Sequence, residues 1–359
     1  MTRIEKIRSK LTSTDEALLI TSDSNRLYAS GFKSSAGYIL LSMNSCELYL
    51  DSRYCEMAKI AKAGGKLQTE TEVFLMEKGR REYISAFCEK NKIKKLLCED
   101  RSLTVSEYAQ IERETAGICT ISGMGGLINE CRICKDDEEI ANIKAAQKIT
   151  DEAFSHILGF ITPDVTEMDV ALELECFMRK KGSEGVAFET ICVSGTKSSL
   201  PHGKPENVKL SKGFLTMDFG ARINGYCADM TRTVCLGKPD DEMLKVYNTV
   251  LEAQKRALDS ICAGILGKTV DAAARDYIYS QGYKGCFGHS TGHALGIDVH
   301  EAPGFSCVSN TEIPENAVLS VEPGIYIEGK YGVRIEDIVK ISEFGCENLT
   351  ESAKELIIL

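Results

Sequence analysis

Histidine is scarce in this chain, with five residues in 359, and four of the five lie in or near two short stretches of the second half. His202 stands in Leu200-Pro-His-Gly, and His289, His293 and His300 share the run Gly288-His-Ser-Thr-Gly-His-Ala-Leu-Gly-Ile-Asp-Val-His-Glu-Ala-Pro303. Four acidic motifs accompany them: Asp218 in Leu215-Thr-Met-Asp-Phe-Gly220, Asp229 in Gly225-Tyr-Cys-Ala-Asp-Met-Thr-Arg232, Glu322 in Ser320-Val-Glu-Pro-Gly324 and Glu336 in Gly332-Val-Arg-Ile-Glu-Asp337. Imidazoles and carboxylates are the common ligands of divalent metals. A chain this sparing with histidine that gathers it beside acidic motifs reads as one that builds a metal site.

The local spacing strengthens that reading. Segments 214–221 and 226–236 flank Asn224-Gly225, a two-residue hairpin signal, because both turn positions tolerate positive φ. With that turn Asp218 faces Thr231 and lies diagonal to Asp229 on one sheet face, within the ~7–8 Å of a diagonal pair. Two carboxylates held this way repel each other unless a cation lies between them. The alternative, two solvated strand aspartates, fits poorly with neighbours that are apolar or small and with the rarity of Asp in strands. Glu322 closes the strand-like Val318-Leu-Ser-Val321 just before Pro323-Gly324. In Val333-Arg-Ile-Glu-Asp-Ile-Val339 the alternation sets Arg334 and Glu336 on one face and Val333, Ile335 and Asp337 on the other. Taken alone, either glutamate reads equally well as a surface carboxylate.

Two Asp, one His and two Glu in this order and these contexts resemble the pita-bread metallopeptidases, in particular their Xaa-Pro aminopeptidase and Xaa-Pro dipeptidase (prolidase) branch. The resemblance covers roughly Asp136 to the C-terminus. A weaker likeness over the first hundred or so residues includes Leu27-Tyr-Ala-Ser-Gly-Phe32 and Leu50-Asp-Ser-Arg-Tyr54, phrases similar to those of aminopeptidase P. The resemblance implies an α/β (α+β) fold, a creatinase-like N-terminal domain followed by a pita-bread catalytic domain with internal pseudo-symmetry. It implies Asp218 and Asp229 on one metal ion, His293 and Glu322 on a second, and Asp229 and Glu336 reaching both.

Four carboxylates and one imidazole form a mostly hard, oxygen-rich set that favours Mn²⁺, with Co²⁺, Fe²⁺ or Zn²⁺ as alternatives. Five ligands exceed what one open catalytic ion needs and suit two ions about 3.5–4 Å apart sharing a water or hydroxide. His202, His289 and His300 then face substrate or relay protons, or else are buried histidines with satisfied hydrogen bonds. Glu322 doubles as general base or acid, and Arg334 orients the carboxylates. Ala294, where relatives usually carry Gly beside the ligand histidine, is expected to narrow the pocket.

The function this implies is release of the N-terminal residue from small peptides with proline second, by a cytoplasmic homodimer. An Xaa-Pro dipeptidase is the near alternative. A non-catalytic peptide-binding protein and a creatine hydrolase on the same fold are the distant ones, and intact ligands at all five positions argue against both.

Composition bounds the remainder. A length of 359 residues and 43% hydrophobic content suit two domains. The net charge of −10, with no long Lys/Arg run, excludes nucleic acid as a partner. No apolar run approaches the ~20 residues of a membrane helix, and Met1-Thr-Arg-Ile-Glu-Lys-Ile-Arg is amphipathic rather than signal-like. Fifteen scattered cysteines, an odd number, fit buried thiols of a reducing compartment. Cys131-Arg-Ile-Cys134 has no partner pair for a zinc knob, and Gly123-Met-Gly-Gly126 lacks the strand-to-helix setting of a phosphate loop and reads as linker.

Ile4, Ile7 and Leu11 recur at helical spacing. Apolar runs at 17–20, 38–41, 47–50 and 73–76 read as strands, with helices near 54–63, 82–90 and 105–115. The boundary falls between about 117 and 134, giving domains 1–125 and 126–359. An acidic first turn at Lys135-Asp-Asp-Glu-Glu139 opens an amphipathic helix to Phe160 that should pack on a sheet, and Thr166-Glu-Met-Asp169 is a capping-box start for the next, running to about 181. Further helices are predicted at 241–263 and 270–281. His156 lies in the first of these four helices, away from every motif, and reads as structural.

Overall fold

The computed structural model describes all residues, 1–359, which divide into two units, Met1–Arg132 and Ile133–Leu359. In the first, the apolar runs become β1 (Glu16–Ile20), β2 (Tyr38–Ser42), β3 (Cys46–Leu50), β4 (Thr71–Leu75), β5 (Lys95–Cys98) and β6 (Thr120–Gly123), in the sheet order β4-β3-β2-β1-β5-β6. β1, β2 and β3 are buried at every position, as expected of strands covered on both faces. Helices α1 (Arg3–Arg8), α2 (Asp23–Ser30), α3 (Ser52–Ala63), α4 (Arg80–Asn91), α5 (Val105–Thr115) and α6 (Leu127–Ile133) complete the unit.

Two sequence expectations change here. Leu11 lies beyond the end of α1. The boundary region from about 117 to 134 contains β6, an edge strand that pairs with β5 and that the sequence pattern misses because Thr120-Ile-Ser-Gly is short and polar. Cys131 and Cys134 lie on and just after α6. With α6 closing the first unit, the division at Arg132 comes a few residues later than 125.

The second unit opens with α7 (Asp137–Phe160), whose Asp136 and Glu139 form a reciprocal capping box, and α8 (Glu167–Lys180), capped the same way by Thr166 and Asp169. Their apolar faces pack on the antiparallel sheet of β7 (Ile191–Ser194), β8 (Gly213–Phe219) and β11 (Met230–Leu236): Phe154, Ile157, Val170 and Leu174 meet Leu215, Met217 and Val234 in one core. Between β8 and β11 lies a short ribbon of β9 (Arg222–Ile223) and β10 (Tyr226–Cys227), turned at Asn224 and Gly225 with φ of 48° and 83°. A second helix pair, α9 (Asp241–Ser260) and α10 (Gly267–Ser280), covers the other half. Its core is shared with strands of the sheet β13-β12-β14-β17-β18, namely β12 (Gly292–Ala294), β13 (Glu301–Phe305), β14 (Val318–Val321), β17 (Asp337–Ser342) and β18 (Gly345–Asn348).

The run 333–339 is not one strand. β16 (Tyr331–Arg334) pairs with β15 (Gly324–Ile327), whereas β17 pairs with β14, so the chain changes sheets at Ile335 and Glu336. The alternation passes through this switch unbroken, which is why the pattern conceals it.

Candidate metal centre

The Asn-Gly turn sets the register that pairs Asp218 on β8 with Thr231 on β11, leaving Asp229 two residues before Thr231. His293 comes from β12, Glu322 follows β14, and Glu336 sits at the sheet switch. The five converge. His293 Nε2 lies 3.6 Å from Asp229 Oδ2 and 3.4 Å from Glu322 Oε1. One ligand atom from each of Asp229, His293 and Glu336 falls within 4.8 Å of the others. His293 Nδ1 is 3.2 Å from the Ala294 carbonyl, which orients the ring so that Nε2 faces the carboxylates.

Close approach of β12 to β14 depends on Gly292, where a Cβ would meet the Ser320 carbonyl oxygen at 1.9 Å. Ala294 does not narrow the pocket. Its side chain is fully buried in the core with Phe305, Leu319 and Val321, on the strand face opposite to that of its neighbour His293.

Arg334 and Thr231 hold the carboxylates in place. The Arg334 guanidinium donates from Nη2 to Asp218 Oδ2 at 2.6 Å, from Nε to Thr231 Oγ1 at 2.9 Å, and from Nη1 to the Pro201 carbonyl at 3.2 Å and Tyr326 Oη at 2.8 Å. Thr231 in turn donates its hydroxyl to Glu336 Oε2 at 2.7 Å. Asp218 Oδ1 and Glu336 Oε1 are buried with no hydrogen-bond partner. Buried carboxylate oxygens of this kind are rare unless something else answers their charge.

The electrostatics agree. Burial, then Glu336 and Asp218, push Asp229 well above the usual carboxylate range. Burial, with Glu322 and Asp218, does the same to Glu336, and burial lifts Glu322 to about 7 against the pull of Arg334. Burial also lowers the His293 pKa, which favours the neutral imidazole that ligates. Four acids crowded with one guanidinium are short of positive charge, and divalent cations fit that deficit and both orphaned oxygens.

The remaining histidines differ from one another. His300 is exposed and sets its ring edge-on to His293 with centroids 4.4 Å apart. His202 is exposed in the turn after a 3-10 segment. His289 has both ring nitrogens engaged, Nδ1 at 2.9 Å from the Ser290 carbonyl and Nε2 at 2.9 Å from Tyr326 Oη. His156 pairs with Glu173 at 2.6 Å and stacks on Phe177. Sequence reasoning missed Tyr326, a half-buried phenol between His289 and Arg334, and gave Thr231 only as a register partner. The one signal for Tyr326 is its place two residues after Gly324.

Carboxylates and an imidazole drawn from two antiparallel sheets onto orphaned buried oxygens, each sheet backed by a helix pair, define a pita-bread metallohydrolase. The chain belongs to metallopeptidase family M24, whose family model matches residues 141–343, and the creatinase/prolidase N-terminal domain matches residues 3–134. It is similar to an Xaa-Pro dipeptidase from Bacillus anthracis, with TM-score 0.93 and 40% identity over 99% of both chains. It is also similar to an X-Pro aminopeptidase from Thermotoga maritima, with TM-score 0.91 and 38% identity over 99% of this chain and 100% of the other. A curated Xaa-Pro dipeptidase of Pyrococcus horikoshii is 35% identical over 98% of this chain and 99% of its own length.

Proposed function

We propose that the protein is an Xaa-Pro aminopeptidase, releasing the first residue from peptides whose second residue is proline. The observation that carries the reading is the convergence of Asp218, Asp229, His293, Glu322 and Glu336 around buried oxygens that no protein group satisfies. Asp218 and Asp229 would hold one divalent ion, His293 and Glu322 a second, and Asp229 and Glu336 would reach both, with Mn²⁺ the preferred metal. Two such ions supply Lewis-acid polarisation of the scissile carbonyl and a water activated as nucleophile near neutral pH.

The chain's own residues do the rest. Glu322 takes the proton of the attacking water and returns it to the leaving proline nitrogen, which has no hydrogen of its own in the tertiary amide. His202 and His300, both exposed, donate to the substrate, while His289 steadies the Tyr326 phenol. Arg334 holds the Asp218 carboxylate in place.

The same guanidinium bears on substrate length. Its hydrogen bonds to Asp218, Thr231, Tyr326 and the Pro201 carbonyl leave it poorly placed to clamp the free carboxylate of a dipeptide. This favours a cleft that stays open beyond proline. On one Mn²⁺-loaded preparation, an Xaa-Pro-Xaa tripeptide should be cut with higher kcat/KM than the matching Xaa-Pro dipeptide, and an Xaa-Ala-Xaa peptide should be poor. A clear preference for the dipeptide makes the protein a prolidase, and indifference to proline removes the specificity. We further propose a cytoplasmic homodimer, supported by fifteen cysteines that all stand as free thiols and by the close likeness to prolidases.

A further inference from the structure

Helix α10 places Asp271 and Arg275 one turn apart, and neither reaches the metal ligands. Arg275 grips Asp271 through Nε at 2.6 Å and Nη2 at 2.9 Å, a two-pronged pair whose Asp271 side chain is 1% exposed. The outward sides of this pair are aimed at backbone. Arg275 Nη1 donates to the Phe287 carbonyl at 2.8 Å and Nη2 to the His289 carbonyl at 2.7 Å. Asp271 Oδ1 accepts from the Thr291 amide at 3.1 Å and the Thr291 hydroxyl at 2.9 Å. The Thr291 carbonyl then accepts from the Glu322 amide at 2.7 Å.

The grip extends to the aromatic rings. The Arg275 guanidinium lies 4.2 Å from the Phe287 ring centroid, and Phe287 sets its edge against His289 at 5.0 Å. Segment 287–291 leads into β12 and His293. It is therefore held from one side by a single ion pair that also reaches the residue carrying the proposed general base.

A buried ion pair contributes little net stability compared with apolar residues of the same volume, so its value lies in the geometry it imposes. Two backbone carbonyls, one amide and one hydroxyl answered by two side chains leave segment 287–291 few alternative positions. We infer that Asp271 and Arg275 are a positioning pair for the catalytic site, fixing His289 directly and Glu322 through Thr291. The inference rests on the proposed reading of that site. Neither residue touches substrate or metal.

Arg275→Lys keeps a cation for Asp271 but gives up the planar fork that spans both carbonyls. Thr291→Val leaves the ion pair intact and removes only the hydroxyl link, which guards against a variant that merely misfolds. Three readouts are taken on folded protein: kcat and KM for the Xaa-Pro-Xaa tripeptide with Mn²⁺, the visible absorption bands of Co²⁺ added to metal-free protein, and amide hydrogen exchange.

For Arg275→Lys we expect kcat per folded, metal-loaded molecule to fall roughly 10- to 100-fold with KM within about twofold, as a small misplacement of catalytic groups produces. The Co²⁺ bands should shift, and exchange should quicken at 287–291 and at the Glu322 amide while β14 itself stays protected. Thr291→Val should show the same pattern more weakly. Wild-type kcat, bands and exchange in Arg275→Lys overturn the inference, as does a loss that disappears when rates are corrected for the folded fraction. Should wild-type protein give no Co²⁺ bands and no turnover, the reading of the site fails. Exchange then decides the positioning claim: local quickening sustains it, and an unchanged 287–291 defeats it.

Discussion

Glu336 and Asp337 are adjacent, both buried, and opposite in what answers their charge. Burial acts to raise Asp337, but Arg232 at 2.8 Å and Lys354 at 2.7 Å outweigh it and hold this carboxyl below its usual range, with Gln254 and Asn348 donating as well. Glu336 has one hydroxyl donor and an orphaned oxygen. Asp337 is a structural carboxylate, and Glu336 has the environment of a metal ligand. The alternation in the sequence separated their faces, but the ring of donors around Asp337 comes from positions 232, 254, 348 and 354 and leaves no local trace.

The histidines divide in the same way, which gives a prediction for each group. His202→Ala and His300→Ala should lower kcat by about 10²–10⁴, the usual worth of a positioned acid or base, with metal content near wild type. His293→Ala should lose metal as well as activity. Elemental analysis of the three variants beside their rates checks this, and equal metal loss in all three would contradict the division.

His289 carries a pH signature instead. Burial, then Arg334, hold its pKa at about 4 in the folded chain, against ~6.5 unfolded. The unfolded chain therefore gains a proton between about pH 6.5 and about pH 4 that the folded chain refuses, and the associated stability, whole above 6.5, drains away as pH falls to 4. His289→Gln lacks this titration. In metal-free protein, the urea midpoint of the wild type should therefore drop more steeply over that interval than that of the variant, and parallel curves would refute the assignment.

At the scale of elements, the hairpin was the most legible feature. Asn224-Gly225 fixed one register, and that register alone pairs Asp218 with Thr231. Capping boxes at Asp136 and Thr166 likewise marked where α7 and α8 begin. Less legible were β6, short and polar at a sheet edge, and the switch at Ile335 and Glu336, where two partners share one alternation.

Close packing of strands is also silent in sequence until a glycine is tested for space. Gly292→Ala would drive a methyl into the Ser320 carbonyl, part β12 from β14, and displace His293 from Glu322. It should cost about 1–3 kcal/mol, as overpacking does, and weaken metal binding. Gly288→Ala, in the loop before β12 with nothing within 4 Å of its Cβ, should be near neutral. Denaturant midpoints of the two variants, with and without Mn²⁺, make the comparison. A Gly292→Ala protein as stable as Gly288→Ala would show that β12 can shift without loss.

For the whole molecule, the sequence could assign the five candidate ligands to a common site only by resemblance, because they come from positions 218 to 336 and meet only when two sheets of the second unit close on each other. Periodicity yields helices and strands one at a time, whereas the convergence is a property of the fold. No helix of the chain is long and apolar enough to cross a membrane. Membership of metallopeptidase family M24 and the shortage of positive charge among four clustered acids, two of them buried, both lead to the central claim, that peptide cleavage here depends on divalent metal held by those residues. The most direct test is the rate of N-terminal residue release from an Xaa-Pro-Xaa peptide by chelator-stripped protein as Mn²⁺ is returned in measured steps. The account predicts no turnover in stripped protein and a rise that levels off near two ions per chain, about what a paired site requires. Full activity in the stripped protein, with no response to added metal, would contradict it.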